Sequence, residues 1–349
     1  MPEWLAEDAK LYLVAVAVAA AISALLTPLV RWAAVELGWL DLPSSSVKTH
    51  KVATPSLGGI AIYASYVITL LLLRQFTQFP TGTLHRLRAL LIGGTLVFLL
   101  GVVDDLKKPV GLGFKAKFTV QALAACALVW FGIRIRFIQP DYIAFGMTVL
   151  WVVGITNAFN IIDVMDALSS SQAVVAALAF LTIALPSEEL YVNFASAALA
   201  GAALGFIPWN LSSKKKIFMG DSGSMLLGFL LSGVAMGESY SKINNLGVYA
   251  PLLILLIPMY DTFFVMILRV RKGQSPFLGS KDHFALRLEQ LGYGRGAIVL
   301  MAAVAAGFLG FCAFLLTQLN AVWAMCLLLI LFIEILLLSQ ALARVVMHQ

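Results

Sequence analysis

The amino-acid sequence predicts an all-α, polytopic integral membrane protein with about eleven transmembrane helices. Hydrophobic residues make up 61% of the 349 residues, and charged residues only 12%. Ordinary soluble domains contain about 45–50% apolar and about 25% charged residues. The apolar residues are also collected into long runs, which polar loops separate. A lipid bilayer is therefore expected to be the main solvent of this chain.

Eleven apolar stretches are long enough to cross about 30 Å of hydrocarbon as helices. The first has the position of a secretory signal, but the residues before it, Pro2 to Lys10, are net acidic and the apolar run is as long as a retained transmembrane helix. We expect one membrane domain over residues 1–349, without internal repeats. The stretches lie near residues 11–30, 57–73, 88–103, 117–133, 142–160, 170–186, 191–208, 223–238, 247–268, 296–316 and 320–341.

The basic residues predict how the helices are oriented. With the N-terminus outside, seventeen of the 24 Lys and Arg residues lie in the inner loops and the C-terminal tail. Cytoplasmic loops carry such an excess, so we expect the N-terminus outside and the C-terminus in the cytoplasm. The net charge of +6 is then explained by topology, with an anionic substrate as a second contribution and no nucleic acid as partner.

The inner connections are long and polar, whereas two outer ones, 185–191 and 317–320, are very short. Function is thus expected on the inner face. The three cysteines fall within apolar runs and the four histidines lack zinc-ligand spacing, so neither disulfides nor a zinc site is expected. The expected catalytic cytoplasmic loops are at about residues 31–56, 104–116, 157–170, 209–222 and 269–295.

Two adjacent carboxylates, Asp104 and Asp105, end the third apolar stretch. Neighbouring carboxylates repel each other unless a cation compensates, so the pair suits a divalent metal or a proton acceptor for a phosphate, although a solvated helix end has the same composition. A second polar group follows the fifth stretch. If the helix continues there, its polar residues recur every three positions and share a face that must line a polar cavity. This group contains Asn157, Asn160, Asp163 and Asp166.

Asp221 stands between Gly220 and Ser222 at the start of the eighth stretch. It suits either a helix cap or the presentation of a carboxylate and backbone N–H groups to a metal-bound diphosphate. In the last inner loop, which follows Asp261, His283 and Arg287 are four residues apart and would share a helix face suited to a phosphate, although a lone histidine is usually structural. The sequence contains no Walker A or Rossmann glycine motif, so metal, lysines and carboxylates would have to hold a nucleotide.

In this order, the motifs resemble the polyprenyl-phosphate N-acetylhexosamine-1-phosphate transferase family, the membrane enzymes that start O-antigen, teichoic-acid linkage and peptidoglycan lipid intermediates. The eleven-helix layout is similar to the O-antigen and teichoic-acid branch rather than to the ten-helix peptidoglycan branch. The resemblance covers about residues 40–295. It rests on Asp41 to Pro43, Lys48 to Gly59, Val102 to Asp105, Asn157 to Asp163, Pro208 to Asn210 and Phe218 to Ser224.

The resemblance implies transfer of an N-acetylhexosamine 1-phosphate, above all GlcNAc-1-phosphate, from a UDP-sugar to undecaprenyl phosphate, with release of UMP. It implies Mg²⁺, or alternatively Mn²⁺, because the attacking and departing phosphates are both anionic. It also implies an active site on the cytoplasmic face of the bacterial inner membrane, and it is compatible with a homodimer.

Each role transfers only to a matching position. Asp221 matches the metal ligand, and the catalytic carboxylates are Asp104, Asp105, Asp163 and Asp166. Substrate-binding roles fall on Lys51, Lys115, Lys117, Asn157, Asn160, His283 and Arg287. Which of the paired aspartates accepts a proton, and whether transfer is direct or occurs in two steps, stays open here.

The sequence departs from the family pattern at two places. Where the family has D-G-x-D-G-L, this chain has Val164 and Ala167 instead of glycines, which fit an uninterrupted helix but not left-handed backbone angles. Where the last loop usually carries several histidines, only His283 remains, with Ala285 and Leu286 beside it. A less polar pocket wall follows, so a 6-deoxy donor sugar is expected to react at least as well as UDP-GlcNAc.

Three other functions stay open. A phospho-MurNAc-pentapeptide transferase of peptidoglycan synthesis is disfavoured by the missing histidines and the extra helix. An ion-coupled transporter would need paired halves and polar groups near the bilayer midplane, whereas these carboxylates cluster towards one face. An inactive family member is disfavoured because all five motif aspartates are present.

Overall fold

The structure, a computed structural model, describes residues 3–43, 52–77, 79, 81–186, 189–237, 240–276 and 280–347. These residues form α-helices with one short two-stranded ribbon, which confirms the all-α class. In the ribbon, β1 (Leu40–Asp41) pairs antiparallel with β2 (Thr54–Pro55). The helices are α1 Glu3–Glu36, α2 Gly59–Phe76, α3 Thr81–Leu106, α4 Phe114–Trp130, α5 Asp141–Ile161, α6 Leu168–Ala184, α7 Leu190–Asn210, α8 Gly220–Ala235, α9 Ala250–Ile254, α10 Leu256–Arg271, α11 Phe284–Gln290, α12 Arg295–Gln318 and α13 Ala321–Ala343.

Every predicted apolar stretch overlaps a helix, and the stretch 247–268 overlaps the pair α9 and α10. Within the described residues, seven helices are long and apolar enough to cross a membrane, namely α1, α2, α3, α5, α7, α12 and α13. A bent unit, formed by a 3-10 turn (Asn245–Tyr249) with α9 and by α10, turns by 73° and makes eight. Helices α4, α6 and α8 have only 16 or 17 residues, shorter than about 30 Å of hydrocarbon requires. Eleven spans and an outside N-terminus therefore stay predictions.

Helix α7 lies at the centre of the bundle, and most of its residues are buried. Its face towards α1 includes small residues, as is usual where membrane helices pack closely. At Gly201 and Gly205 a Cβ atom would collide with the carbonyl oxygens of Val16 and Ala20 in α1. The glycines therefore allow the two backbones to meet.

The first turn of α8 is wedged between α2 and α3. A Cβ atom at Gly59 of α2 would collide with the backbone of Gly223, and one at Gly101 of α3 with the backbone of Ser222. These two glycines let three backbones converge at the start of α8. The carboxyl end of α3, with its two aspartates, is thereby held against Asp221.

A second hydrophobic cluster joins the connection between α5 and α6 to the last loop. Ile162, Met165 and Leu168 pack there with Phe284 and Leu286 of α11, and with residues of α10 and α12. The connection that carries two predicted carboxylates is therefore packed against the loop that carries His283.

Candidate active site

A cavity of about 1030 Å³ collects side chains from several helix ends. Its polar end lies where α3, α5 and α7 finish and where α4 and α8 begin. The opposite wall is apolar and comes from α4, α5 and α10. The residues of the polar end include Lys108, Lys117, Asp163, Asp166, Asn210, Lys216 and Asp221.

Asp221, in the first turn of α8, lies between two ammonium groups. The Nζ atom of Lys108 is 3.2 Å from its Oδ1 atom, and the Nζ atom of Lys117 is 2.6 Å from its Oδ2 atom. Lys108 also contacts Asp105 at 2.7 Å, and Lys117 contacts Asp104 at 2.9 Å. Three carboxylates and two lysines therefore form one ion-pair cluster.

Asp105 holds the start of α8. Its carboxylate accepts the backbone N–H groups of Asp221 and Ser222, each at 3.0 Å, and its side chain is fully buried. The four first N–H groups of a helix have no partner inside the helix, so an acceptor from α3 caps α8 here. Gly220 has a φ of +76°, and a Cβ atom there would collide with this carboxylate. The glycine before Asp221 is thus required by the cap.

Asp104 folds the loop after α3 back onto the site. Its Oδ1 atom accepts the backbone N–H of Leu112 at 2.5 Å, while its Oδ2 atom faces Lys117. Among the described residues, neither Asp104 nor Asp105 lines the cavity, whereas Asp221 does. The two aspartates therefore influence the cavity only indirectly, because they contact residues that line it: Lys117, Lys108 and Asp221.

The backbone between α5 and α6 differs from the prediction. Helix α5 ends at Ile161, so Asp163 and Asp166 do not continue its face but lie in a turn. Ala167 adopts a left-handed conformation with φ +61°, and the expectation of an uninterrupted helix through it was wrong. Asn210 explains the turn, because its Oδ1 atom accepts the N–H of Ala167 at 2.6 Å while its Nδ2 atom donates to Ile217 at 2.9 Å.

Both carboxylates of this turn line the cavity. Asp166 pairs with Lys216 at 2.5 Å. Within the described residues, Asp163 has no hydrogen-bond partner. Burial, with a smaller contribution from the Asp221 carboxylate, raises the pKa of Asp163 to about 8.

The lysine beside Asp221 stays charged. Burial alone would lower the pKa of Lys108, but the carboxylates of Asp221 and Asp105 outweigh this effect and raise it above the ordinary value. The side chain of Lys108 lines the cavity. It therefore offers a permanent positive charge to an anionic ligand.

The two predicted asparagines line the cavity and also join helices. Asn157 donates to the side chain of Gln121 in α4 at 2.6 Å, and Asn160 donates to Ser224 in α8 at 3.0 Å. Lys115 is exposed and, among the described residues, is not part of the cavity wall. Lys51 lies outside the described residues.

In the last loop, His283 and Arg287, which were expected to act together, lie in different surroundings. His283 lines the cavity but precedes α11, so the predicted shared helix face with Arg287 was wrong. The guanidinium of Arg287 donates to Asp282 at 2.7 Å and to the carbonyl oxygens of Leu342 and Val345 at 3.0 and 2.7 Å. In the described part of the chain, Arg287 does not reach the cavity and instead ties the loop to the end of α13.

Three lining residues of this site were missed as site residues by sequence reasoning. Lys108 and Lys216 stand in runs of lysines, and Asn210 stands in a motif that had no role attached. Runs of lysine beside a membrane normally indicate only which side of the membrane a loop lies on. Composition therefore did not distinguish these site lysines from the lysines next to them. Only their contacts with Asp221, Asp166 and Ala167 do so.

The donor set at the polar end fits Mg²⁺. No group of three or more His, Cys, Asp or Glu side chains arranged to hold a metal occurs among the described residues. Mg²⁺ is usually held by one or two carboxylates, water and substrate phosphates rather than by a full protein cage. Asp221, with Asp163 on the same cavity wall, offers such a partial site beside two lysines suited to phosphate oxygens.

Comparison with known proteins agrees with this geometry. Residues 87–238 match the family described as Glycosyl transferase family 4, and this range holds all five motif aspartates. A "probable undecaprenyl-phosphate N-acetylglucosaminyl 1-phosphate transferase" of Bacillus subtilis is 30% identical over 286 residues, which are 79% of this chain and 77% of that protein.

Two further relatives cover similar shares of the chain. A decaprenyl-phosphate N-acetylglucosaminephosphotransferase of Mycolicibacterium smegmatis is 30% identical over 328 residues, 84% of this chain and 79% of that protein. An undecaprenyl-phosphate alpha-N-acetylglucosaminyl 1-phosphate transferase of Escherichia coli K12 is 29% identical over 291 residues, 79% and 76% of the two chains. The resemblance that the motifs predicted is confirmed, and the chain belongs to glycosyl transferase family 4.

Proposed function

We propose that this protein transfers GlcNAc 1-phosphate from UDP-GlcNAc to undecaprenyl phosphate or a similar polyprenyl phosphate and releases UMP. The observation that carries the proposal is the shape of the cavity. One end presents Asp221, Lys108 and Lys117, and the facing wall is apolar. A lipid with a phosphate head needs both kinds of surface. The names of the relatives support GlcNAc as the sugar and not the muramyl pentapeptide of peptidoglycan synthesis.

The polar end has the groups that the reaction needs. In the net reaction, an oxygen of the polyprenyl phosphate becomes bonded to the phosphorus that carries the sugar, and the bond from that phosphorus to UMP breaks. Two anionic phosphates must approach each other, so positive charge is required between them. Lys108 and Lys117 bind phosphate oxygens, and Asp221, aided by Asp163, would hold Mg²⁺, which supplies Lewis-acid charge neutralisation.

The apolar wall provides a path for the prenyl chain. Leu150 of α5 and Phe263 of α10 line the cavity and are also exposed at the surface of the bundle, by 64% and 57%. Exposed apolar side chains on membrane helices face lipid. The cavity therefore opens sideways towards the bilayer core, where a polyprenyl chain is dissolved.

The location follows from the same proposal. UDP-sugars are cytosolic, so the polar end of the cavity belongs on the cytoplasmic face of the bacterial inner membrane, in agreement with the basic inner loops. Mg²⁺ is the proposed ion, with Mn²⁺ as an alternative of similar ligand preference.

The test uses the purified full-length protein in detergent with UDP-GlcNAc, undecaprenyl phosphate and Mg²⁺, and it measures UMP release. Asp221→Asn is expected to remove nearly all turnover, because a neutral amide is a poor Mg²⁺ ligand. Asp141→Asn, at the exposed start of α5, is the matched control and should keep normal turnover. Turnover of Asp221→Asn within a few-fold of the control would contradict the role of Asp221, and no UMP release by the unmodified protein would contradict the proposed reaction.

A further inference from the structure

A buried aspartate of α10 contacts the histidine of the last loop. The Oδ2 atom of Asp261 is 2.7 Å from Nδ1 of His283, and its Oδ1 atom accepts the backbone N–H of Phe284 at 2.9 Å. Asp261 is 0% exposed and His283 only 5%. One carboxylate thus fixes both the side chain of His283 and the backbone of the residue that follows.

The contact decides which ring nitrogen carries the proton. A carboxylate accepts hydrogen bonds, so in the uncharged imidazole the hydrogen lies on Nδ1. The other nitrogen, Nε2, then carries a lone pair. In the part of the chain that the structure describes, Nε2 contacts no protein partner, and His283 lines the cavity. The lone pair is therefore available to a ligand in the cavity.

We propose that Asp261 is a positioning residue, which holds His283 with Nδ1 protonated so that Nε2 accepts a hydrogen bond from a hydroxyl or amide hydrogen of the bound sugar nucleotide. The inference rests on the proposed function, since it needs a donor substrate in this cavity. It assigns a task to Asp261, which the motif aspartates do not include. The same pairing of carboxylate and imidazole fixes tautomers wherever histidine acts through one nitrogen.

The neighbouring contacts explain why the pair can stay rigid. Asp282, the residue before His283, binds Lys272 at 2.8 Å and Arg287 at 2.7 Å. Burial would raise the pKa of Asp282, but the hydrogen bonds from Lys272 and Arg287 outweigh it and lower the pKa. Contacts of Asp282 before the histidine and of Phe284 after it therefore hold the loop in place. Asp282 holds the loop in place, whereas Asp261 orients the ring.

The first experiment reads the tautomer directly. The chain has four histidines, so ¹⁵N-histidine labelling of the full protein gives few signals, and His283→Gln identifies the one that belongs to position 283. We expect a protonated Nδ1 and an unprotonated Nε2. Asp261→Asn should reverse this, because the amide oxygen can keep the N–H of Phe284 while the amide nitrogen donates to Nδ1. Asp282→Asn is the matched control that loosens the same loop, and it should leave the tautomer unchanged.

The second experiment asks whether Asp261 acts through His283. Asp261→Asn should lower kcat/KM for UDP-GlcNAc by about 10- to 100-fold, the range found when the partner that orients a metal-ligating histidine is removed. In the His283→Gln background the same substitution should cost little. An equal loss in both backgrounds, or a wild-type His283 with Nδ1 unprotonated or Nε2 protonated, would overturn the proposal. Normal kcat/KM in His283→Gln would overturn it too, while UMP release would show that the proposed function itself holds.

Discussion

At the residue scale, Ala167 shows the limit of sequence reasoning. Its side chain fits a helix, and the sequence near it is apolar, so an uninterrupted helix was the reasonable expectation. The structure has φ +61° there, because Asn210, more than forty residues away, captures the N–H of Ala167. A contact of such sequence separation leaves no trace in local periodicity. The glycine of the family pattern was the better guide to the backbone than the alanine that replaced it.

We therefore expect Ala167→Gly to stabilise the protein by about 1 kcal/mol, because a left-handed backbone costs a residue with a Cβ atom roughly 1–2 kcal/mol. The control is Ala179→Gly in the interior of α6, where glycine should destabilise by a similar amount. Thermal unfolding in detergent measures both. A lower melting temperature for Ala167→Gly would contradict the left-handed assignment.

Donor choice also belongs to the residue scale. The sequence suggested that Ala285 and Leu286 both form the wall that reads the sugar. Leu286 lines the cavity, but Ala285 is 0% exposed within the second hydrophobic cluster. We expect Leu286→His to shift the ratio of kcat/KM values towards UDP-GlcNAc and away from a 6-deoxy relative, since an imidazole can bond the extra hydroxyl.

The control for donor choice is Ala285→His. It should lower the melting temperature instead, because it forces a polar ring into an apolar site. Assays of the two UDP-sugars with each variant measure the ratio. An unchanged ratio in Leu286→His would remove position 286 from sugar recognition.

At the element scale, the start of α8 is built by other helices. The sequence indicated that Asp221 either caps the helix or presents a carboxylate, and the structure separates these tasks. Asp105 of α3 supplies the cap, while Asp221 faces the cavity. Adjacent aspartates in the sequence thus gave the right cluster, but they did not reveal that one of them mainly holds a helix end.

Asp105→Ala should therefore destabilise the fold by about 1.5–3 kcal/mol, the usual contribution of hydrogen bonds to a charged group. Asp221→Asn, one residue into the capped helix, should remove activity without a comparable loss, because Asp221 accepts no backbone N–H in the described structure and the amide oxygen can still accept from a lysine. Melting temperatures and UMP release of the two variants give the comparison. Equal stability of the two variants would refute the capping role.

The break between α9 and α10 was hidden inside one apolar stretch. Pro258 lies in the first turn of α10, and a proline cannot donate to the carbonyl four residues earlier. The bend of 73° follows at Leu255. Proline marked this position in the sequence, but a bent span and a straight kinked helix have the same composition. After the bend, Arg269 of α10 lines the cavity and Asp261 contacts His283.

At the scale of the whole molecule, length, charge and motif order were enough to predict a helical membrane protein and its family, and three of the five motif aspartates line the cavity. These sequence features predicted Lys117 but not Lys108, because Lys108 meets Asp221 across more than a hundred residues. The sequence also did not predict that some apolar helices are short. Helix α8, for example, is mostly buried inside the protein and has only 16 residues. In a large bundle, an apolar run indicates either a helix buried inside the protein or a helix that faces lipid.

Topology can be tested on a variant without Cys126, Cys312 and Cys326. New cysteines at Ser213 and Gln274, both exposed, should react with a membrane-impermeant reagent only from the cytoplasm, because their loops carry the basic residues. A cysteine at Ser241, also exposed, should react only from outside. Labelling of intact cells and of inverted vesicles distinguishes the sides. Reaction of Ser213→Cys in intact cells would reverse the orientation.

The cavity joins two phases, and for the proposed reaction this has a kinetic consequence. In the proposed reaction its charged end receives the sugar nucleotide from water, whereas the exposed Leu150 and Phe263 line the wall proposed to open to lipid. The concentration that matters for the sugar nucleotide is then its amount per volume of cytosol, whereas for the polyprenyl phosphate it is the amount per area of membrane. Adding inert lipid or detergent therefore spreads the acceptor over more surface and slows turnover, although neither total amount has changed. Saturation of this enzyme by its acceptor is then set by the fraction of the membrane surface that the carrier occupies.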